Sequence, residues 1–110
     1  MVFKTRCYTN MVVLELNGRF DAHVAPMVAE WFDRTATTPT SHVTVNLAGV
    51  QFIDSSALAT LIQAMKRYRQ QHGDVYLCNL QQTVRIIFEL TQLEKVFTIF
   101  TSEEEATAAI

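Results

Sequence analysis

Two short segments of this 110-residue chain carry side chains that could act together chemically: Gly18-Arg19-Phe20-Asp21 and Phe52-Ile53-Asp54-Ser55-Ser56-Ala57-Leu58. In the second, an aspartate and two serines stand just before a long stretch of helical periodicity. The amino end of a helix has unpaired N–H groups and the positive end of the dipole, so it tolerates an anion. A phosphate on Ser55 or Ser56 would add about −1.5 to −2 charges beside Asp54 and Asp21. The simpler use of the same residues is that Asp54, Ser55 or Ser56 caps the helix. Both uses can hold if one group caps while another hydroxyl stays exposed.

Other chemistry finds little support. His23, His42 and His72 are scattered over a helix start, a loop and a helix end, where surface positions are expected. No His, Cys, Asp or Glu set has metal-ligand spacing, and three glycines leave no phosphate-cradling loop. No bound cofactor or metal and no enzymatic activity is therefore expected. A net charge of −2 argues against nucleic acid as a partner. The basic cluster Lys66-Arg67-Arg69 falls where a helix should end, and there cations offset the helix dipole. Cys7 and Cys78 lie in apolar strand-like runs and are expected to be buried free thiols in a reducing cytosol. No apolar run is long enough to span a bilayer and the start lacks the apolar core of a signal peptide, so a cytoplasmic protein is expected.

The elements that must position these residues follow from the apolar pattern. Residues 2–8 and 11–16 read as strands around a Thr9-Asn10 turn, and Asn17-Gly18 then breaks the pattern. A helix follows Asp21, an acceptor suited to capping it, with Val24, Met27, Val28, Trp31 and Phe32 at helical spacing. Residues 35–41, with Pro39, read as a loop. Val43, Val45 and Leu47 share one face of a buried strand. From Ser55, the residues Ala57, Leu58, Leu61, Ile62, Met65 and Tyr68 form one apolar stripe, which Gly73 ends as a C-terminal glycine cap. Residues 75–78 read as a strand buried on both faces. Val84, Ile87 and Phe88 mark a short helix, and residues 96–100 a last strand. Ser102 and Glu105 have capping-box spacing, and Glu103, Glu104 and Glu105 are expected to be a solvated helix start. The order β-β-α-β-α-β-α-β-α implies a single α/β domain over residues 1–110, its sheet mixed but mostly parallel. Both chemical segments then lie at the carboxyl ends of strands, where such sheets gather ligands and partners.

With these residues in view, the chain resembles the STAS domain of anti-sigma factor antagonists. Family members carry a G-x-hydrophobic-D segment, here GRFD, and a hydrophobic-D-S-[ST]-G-L segment, here IDSSAL. The stretch VTVNLAGVQF resembles the family's third strand, and the likeness extends over nearly the whole chain. The resemblance makes Ser55 the phospho-acceptor, Ser56 the neighbouring hydroxyl, and Asp54 and Asp21 the acids beside the switch. It implies a partner that is both anti-sigma factor and ATP-dependent serine kinase, bound by the unphosphorylated chain and released on phosphorylation. A metal-dependent serine phosphatase would restore the complex. Ala57 replaces the family's glycine, and its methyl is expected to face a kinase approaching the backbone. Helix geometry together with the resemblance places the partner surface on an exposed face at Thr60, Gln63, Arg67 and Tyr68, with the Asp21 loop.

Three other readings compete. A STAS module can serve as a non-switching adaptor through the same helix face, in a stress-signalling or lipid-transport complex. A receiver domain phosphorylated on Asp54 requires an acidic pair after the first strand and a lysine after the last, and neither is present. A small-ligand α/β domain would have only Asp21, Asp54, Ser55 and Ser56 as convergent polar groups.

Overall fold

The opening strand pairs with its neighbour through a tight turn. In the computed structural model, which describes residues 1–36 and 42–109, Tyr8 N–H donates to the Met11 carbonyl at 2.7 Å. This joins β1 (Val2–Cys7) antiparallel to β2 (Val12–Phe20). Then follow α1 (Ala25–Thr35), β3 (His42–Ile53), α2 (Ser55–Gln70) and β4 (Asp74–Cys78). The chain continues with α3 (Gln82–Leu90), a 3-10 turn (Leu93–Lys95), β5 (Thr98–Phe100) and α4 (Glu103–Ala108). The five strands lie in sequence order, and every pairing after the first is parallel. The sequence-derived order and mixed sheet match this architecture, with the 3-10 turn added.

The core forms where the strand and helix periodicities meet. Val43, Val45 and Leu47 of β3 are fully buried against Ala57, Leu61, Met65 and Tyr68 of α2 and Val28 and Phe32 of α1. Phe32 meets Tyr68 edge-on at 5.8 Å between ring centroids, and the Tyr68 hydroxyl donates to the Phe32 carbonyl at 3.0 Å. Met27, expected in the apolar stripe of α1, is instead 48% exposed.

Several local expectations need correction. Asn17-Gly18 does not end β2: the strand runs on to Phe20 through two register shifts against β3. Gly18 absorbs the irregularity with φ +120, and Gly49 makes room for it, because a Cβ there would lie 1.9 Å from Asn17 Oδ1. Asp21 does not cap α1. Its carbonyl accepts from Val24 and Ala25 N–H in a preceding turn, and the helix proper starts at Ala25 with Pro26 in its first turn. The loop expected over residues 35–41 begins within α1, and residues 37–41 lie outside the described residues.

The end of α2 is a Schellman arrangement, but Gly73 is not its left-handed residue. His72 takes φ 65, its N–H donating to the Arg69 carbonyl while Gly73 N–H reaches Tyr68 at 2.8 Å. In the last turn Arg67 pairs with Asp33 of α1, and Arg69 bonds Asp74 and the Val96 carbonyl. Arg67 and Arg69 therefore tie elements together. Cys78 is buried as expected, and its burial pushes the thiol up to about 12. Cys7 is exposed, because β1 is an edge strand and its side chain points outward.

The glutamates at the start of α4 also depart from a merely solvated role. Ser102 and Glu105 make the expected capping box, but Glu103 reaches across the sheet, its side chain only 14% exposed. It accepts from both Arg6 Nη2 and Nε, at 2.6 and 3.0 Å, from Tyr8 at 2.8 Å and from Asn46 at 3.0 Å. Asn46 projects opposite to Val45 and Leu47, so α4 docks on the face turned away from that core. The Arg6 hydrogen bonds, ahead of those from Asn46 and Tyr8, hold the Glu103 carboxyl down at about 2.

Candidate functional site

Strand pairing brings the two chemical segments side by side. Arg19 lies opposite Phe52 and Phe20 opposite Ile53 at the carboxyl ends of β2 and β3. Asp54 N–H donates to the Phe20 carbonyl at 3.3 Å, extending the contact one residue beyond the strand.

Asp54 organises the edge. Its backbone is extended, so its side chain turns back over the first turn of α2, where Oδ1 accepts from Ala57 N–H at 3.0 Å. Oδ2 accepts from Ala22 N–H at 2.9 Å and fastens the loop after β2 to the start of the helix. Of the three capping candidates, Asp54 is therefore the cap. Ser55 and Ser56 occupy the first two helical positions, Ser55 exposed and Ser56 half-buried. Asp21 is held nearby: Oδ1 accepts from His23 N–H at 3.0 Å and Oδ2 from Arg19 Nε at 3.3 Å.

Ala57 is fully buried, so its methyl faces the core and not an approaching partner, contrary to expectation. Tyr68 is likewise 0% exposed and is removed from the exposed helix face. As part of the apolar stripe it cannot also face solvent, since one helix position points one way. Thr60, Gln63 and Arg67 remain accessible. They line a groove between α1 and α2 made of two adjoining depressions of about 360 and 150 Å³. Ser56, Ala25 and Pro26 lie at its switch end, and Asp33 and Arg67 at the other.

Arg19, the unspecified position of the G-x-hydrophobic-D segment, carries a contact that the motif does not indicate. Its guanidinium lies over the Phe52 ring, 3.7 Å from the centroid, while the side chain stays 65% exposed. Both line an open depression of about 250 Å³ with Gly18, Gly49 and Gln51. The available signal was isolation: Arg19 is the only Lys or Arg between Arg6 and Arg34, and none lies between Arg34 and Lys66. Its partner Phe52 could be named only from the strand register.

Among the described residues, no three His, Cys, Asp or Glu side chains gather as a metal site, and no helix is long and apolar enough to cross a membrane. What the edge offers is an exposed Ser55 hydroxyl in the first turn of a helix that Asp54 already caps, with Asp21 and Arg19 paired on the adjoining segment. The capping contacts of α2 therefore do not depend on the Ser55 hydroxyl.

The comparisons with known proteins agree in kind. The STAS domain family matches residues 3–106, and the chain belongs to that family. The chain is 25% identical over 100 residues to the anti-sigma F factor antagonist of Paenibacillus polymyxa, covering 90% of this chain and 86% of that protein. The anti-sigma factor antagonist SpoIIAA in its unphosphorylated form superposes with a TM-score of 0.81 at 25% identity, over 96% of this chain and 93% of that one. SpoIIAA in the phosphorylated form, described as a Bacillus cell fate determinant, superposes with a TM-score of 0.76 at 22% identity, over 99% and 100% of the two chains.

Proposed function

We propose that this chain is an anti-sigma factor antagonist that acts by partner switching, with Ser55 as the phosphorylated residue. The observation that carries this reading is the division of labour at the start of α2. Asp54 supplies the cap, so the Ser55 hydroxyl is exposed and free for modification. A phosphate there changes the surface by about −1.5 to −2 charges while the helix keeps its cap. The family membership and the anti-sigma F factor antagonist relative support the same reading.

In this scheme the unphosphorylated chain binds an anti-sigma factor that is also an ATP-dependent serine kinase, and a serine phosphatase reverses the modification. The partner seats on the α1–α2 groove at Thr60, Gln63 and Arg67, with the Asp21 loop beside it. ATP and metal belong to those partners, so the chain acts as a cytoplasmic binding module without catalysis of its own.

The direct test is to incubate the protein with the candidate anti-sigma kinase and Mg-ATP, then weigh the intact protein and the peptide spanning Ser55. One phosphate on Ser55, absent in Ser55→Ala and accompanied by loss of binding, is expected. Binding that persists with no phosphate, while the kinase modifies a known substrate, would instead make the protein a constitutive STAS adaptor.

A further inference from the structure

We propose that Arg19 is the phosphate-recognising residue of the switch: once Ser55 carries a phosphate, the Arg19 guanidinium leaves Asp21 to pair with it. This rests on the reading of Ser55 as the modified residue and adds the group that would sense the modification.

Arg19 is the one Lys or Arg in the two segments that form this edge. Arg19 and Phe52 are paired across β2 and β3 at the carboxyl ends of those strands, next to Asp21 and Asp54 in the chain. Arg19 and Asp21 do meet, and Arg19 also covers Phe52, three residues before Ser55. Ser55 follows Phe52 by three residues, a span of at most about 11 Å, which the arginine side chain would cross in swinging from Asp21 to a phosphate there.

The present contacts of Arg19 are of a kind that yields. The Asp21 bond is 3.3 Å long and reaches Nε alone, and the side chain is 65% exposed. Among the described residues the hydrogen bond of Arg19 to Asp21 uses Nε, which leaves the planar fork of the terminal nitrogens open to a bidentate acceptor. A phosphate offers three acceptor oxygens and nearly two charges, against one charge on Asp21, so it competes well for that fork. The Phe52 ring can remain beneath the guanidinium and fix its plane. Asp54, committed to two backbone amides, would face the new phosphate as a like charge, which favours bringing a cation to it.

The test places phosphoserine at position 55 of the full chain by genetic code expansion, so no kinase is needed. The phosphate's second ionisation is followed by ³¹P NMR between pH 4 and 8, in a His23→Gln background that removes the imidazole two residues beyond Asp21. Arg19 is expected to lower that ionisation by roughly half a pH unit or more relative to Arg19→Gln, the size expected of a unit charge about 4 Å away near water. Arg19→Lys should restore part of the difference. The Arg19 Nε–H resonance should also move between the serine and phosphoserine proteins. Equal ionisation in the Arg19 and Arg19→Gln proteins, with a stationary Nε–H resonance, would overturn the assignment. Failure of Ser55 to be modified by any kinase would sink the proposed function and leave this measurement intact.

Discussion

At the residue scale, the site depends on one aspartate having two oxygens with separate tasks. Asp54 caps α2 through Ala57 N–H and holds the preceding loop through Ala22 N–H. Removing both acceptors leaves two amide donors without their partner, so Asp54→Ala should destabilise the fold by about 2 kcal/mol. Ser55→Ala should cost less than about 0.5 kcal/mol, since an exposed serine that does not cap contributes little. Urea unfolding of the two variants checks this contrast. If Ser55→Ala is the more damaging, the capping assignment is reversed. The identities of Asp21, Asp54, Ser55 and Ser56 were legible in the sequence as a cluster. Which of them caps was not, because all three candidates at the helix start are good N-cap residues and only the backbone geometry separates them.

At the scale of elements, the periodicities were a sound guide to strands and helices and a poorer one to their ends. The β2 strand crosses Asn17-Gly18 because β3 answers its bulge with Gly49, thirty-odd residues away. The end of α2 puts a histidine where glycine is the easier residue, since a side chain at positive φ crowds its own carbonyl. His72→Gly should therefore stabilise the protein by about 0.5–1 kcal/mol, partly offset by the freer unfolded chain. A rise in the thermal midpoint with an unchanged fold is the expected result. A fall would mean that the imidazole makes a favourable contact outweighing its backbone strain. Tyr68 teaches the same lesson within one helix: its spacing marked it as core, and its position on the buried stripe excludes it from the partner surface.

For the molecule as a whole, the long-range tie is between the first strand and the last helix. Glu103 gathers Arg6, Tyr8 and Asn46, so the edge strand, the central strand and α4 share one carboxylate. Its folded value of about 2 lies below the ordinary 4.5. A depressed carboxyl contributes stability in full above the unfolded value, loses it as pH falls from about 4.5, and contributes none below about 2. Allowing for the partly exposed Arg6, the contribution is on the order of 2 kcal/mol. Glu103→Gln should remove that amount at neutral pH and flatten the stability profile across the acid window. Denaturant titrations at several pH values give both numbers. An unchanged acid slope would show that other carboxylates govern it.

Read alone, the sequence carried the order of strands and helices and the placing of Asp54, Ser55 and Ser56 at a helix start. Those features are local: side-chain periodicity, turn residues and helix-start chemistry act within a few positions of the chain. Packing and register had to be known before Asp54 could be seen to bridge two segments, Ala57 and Tyr68 to face inward, Arg19 to rest on Phe52, and Glu103 to be held by Arg6, Tyr8 and Asn46. Each of these depends on strand register or on which face of an element is covered, and both are settled by residues far apart in the chain.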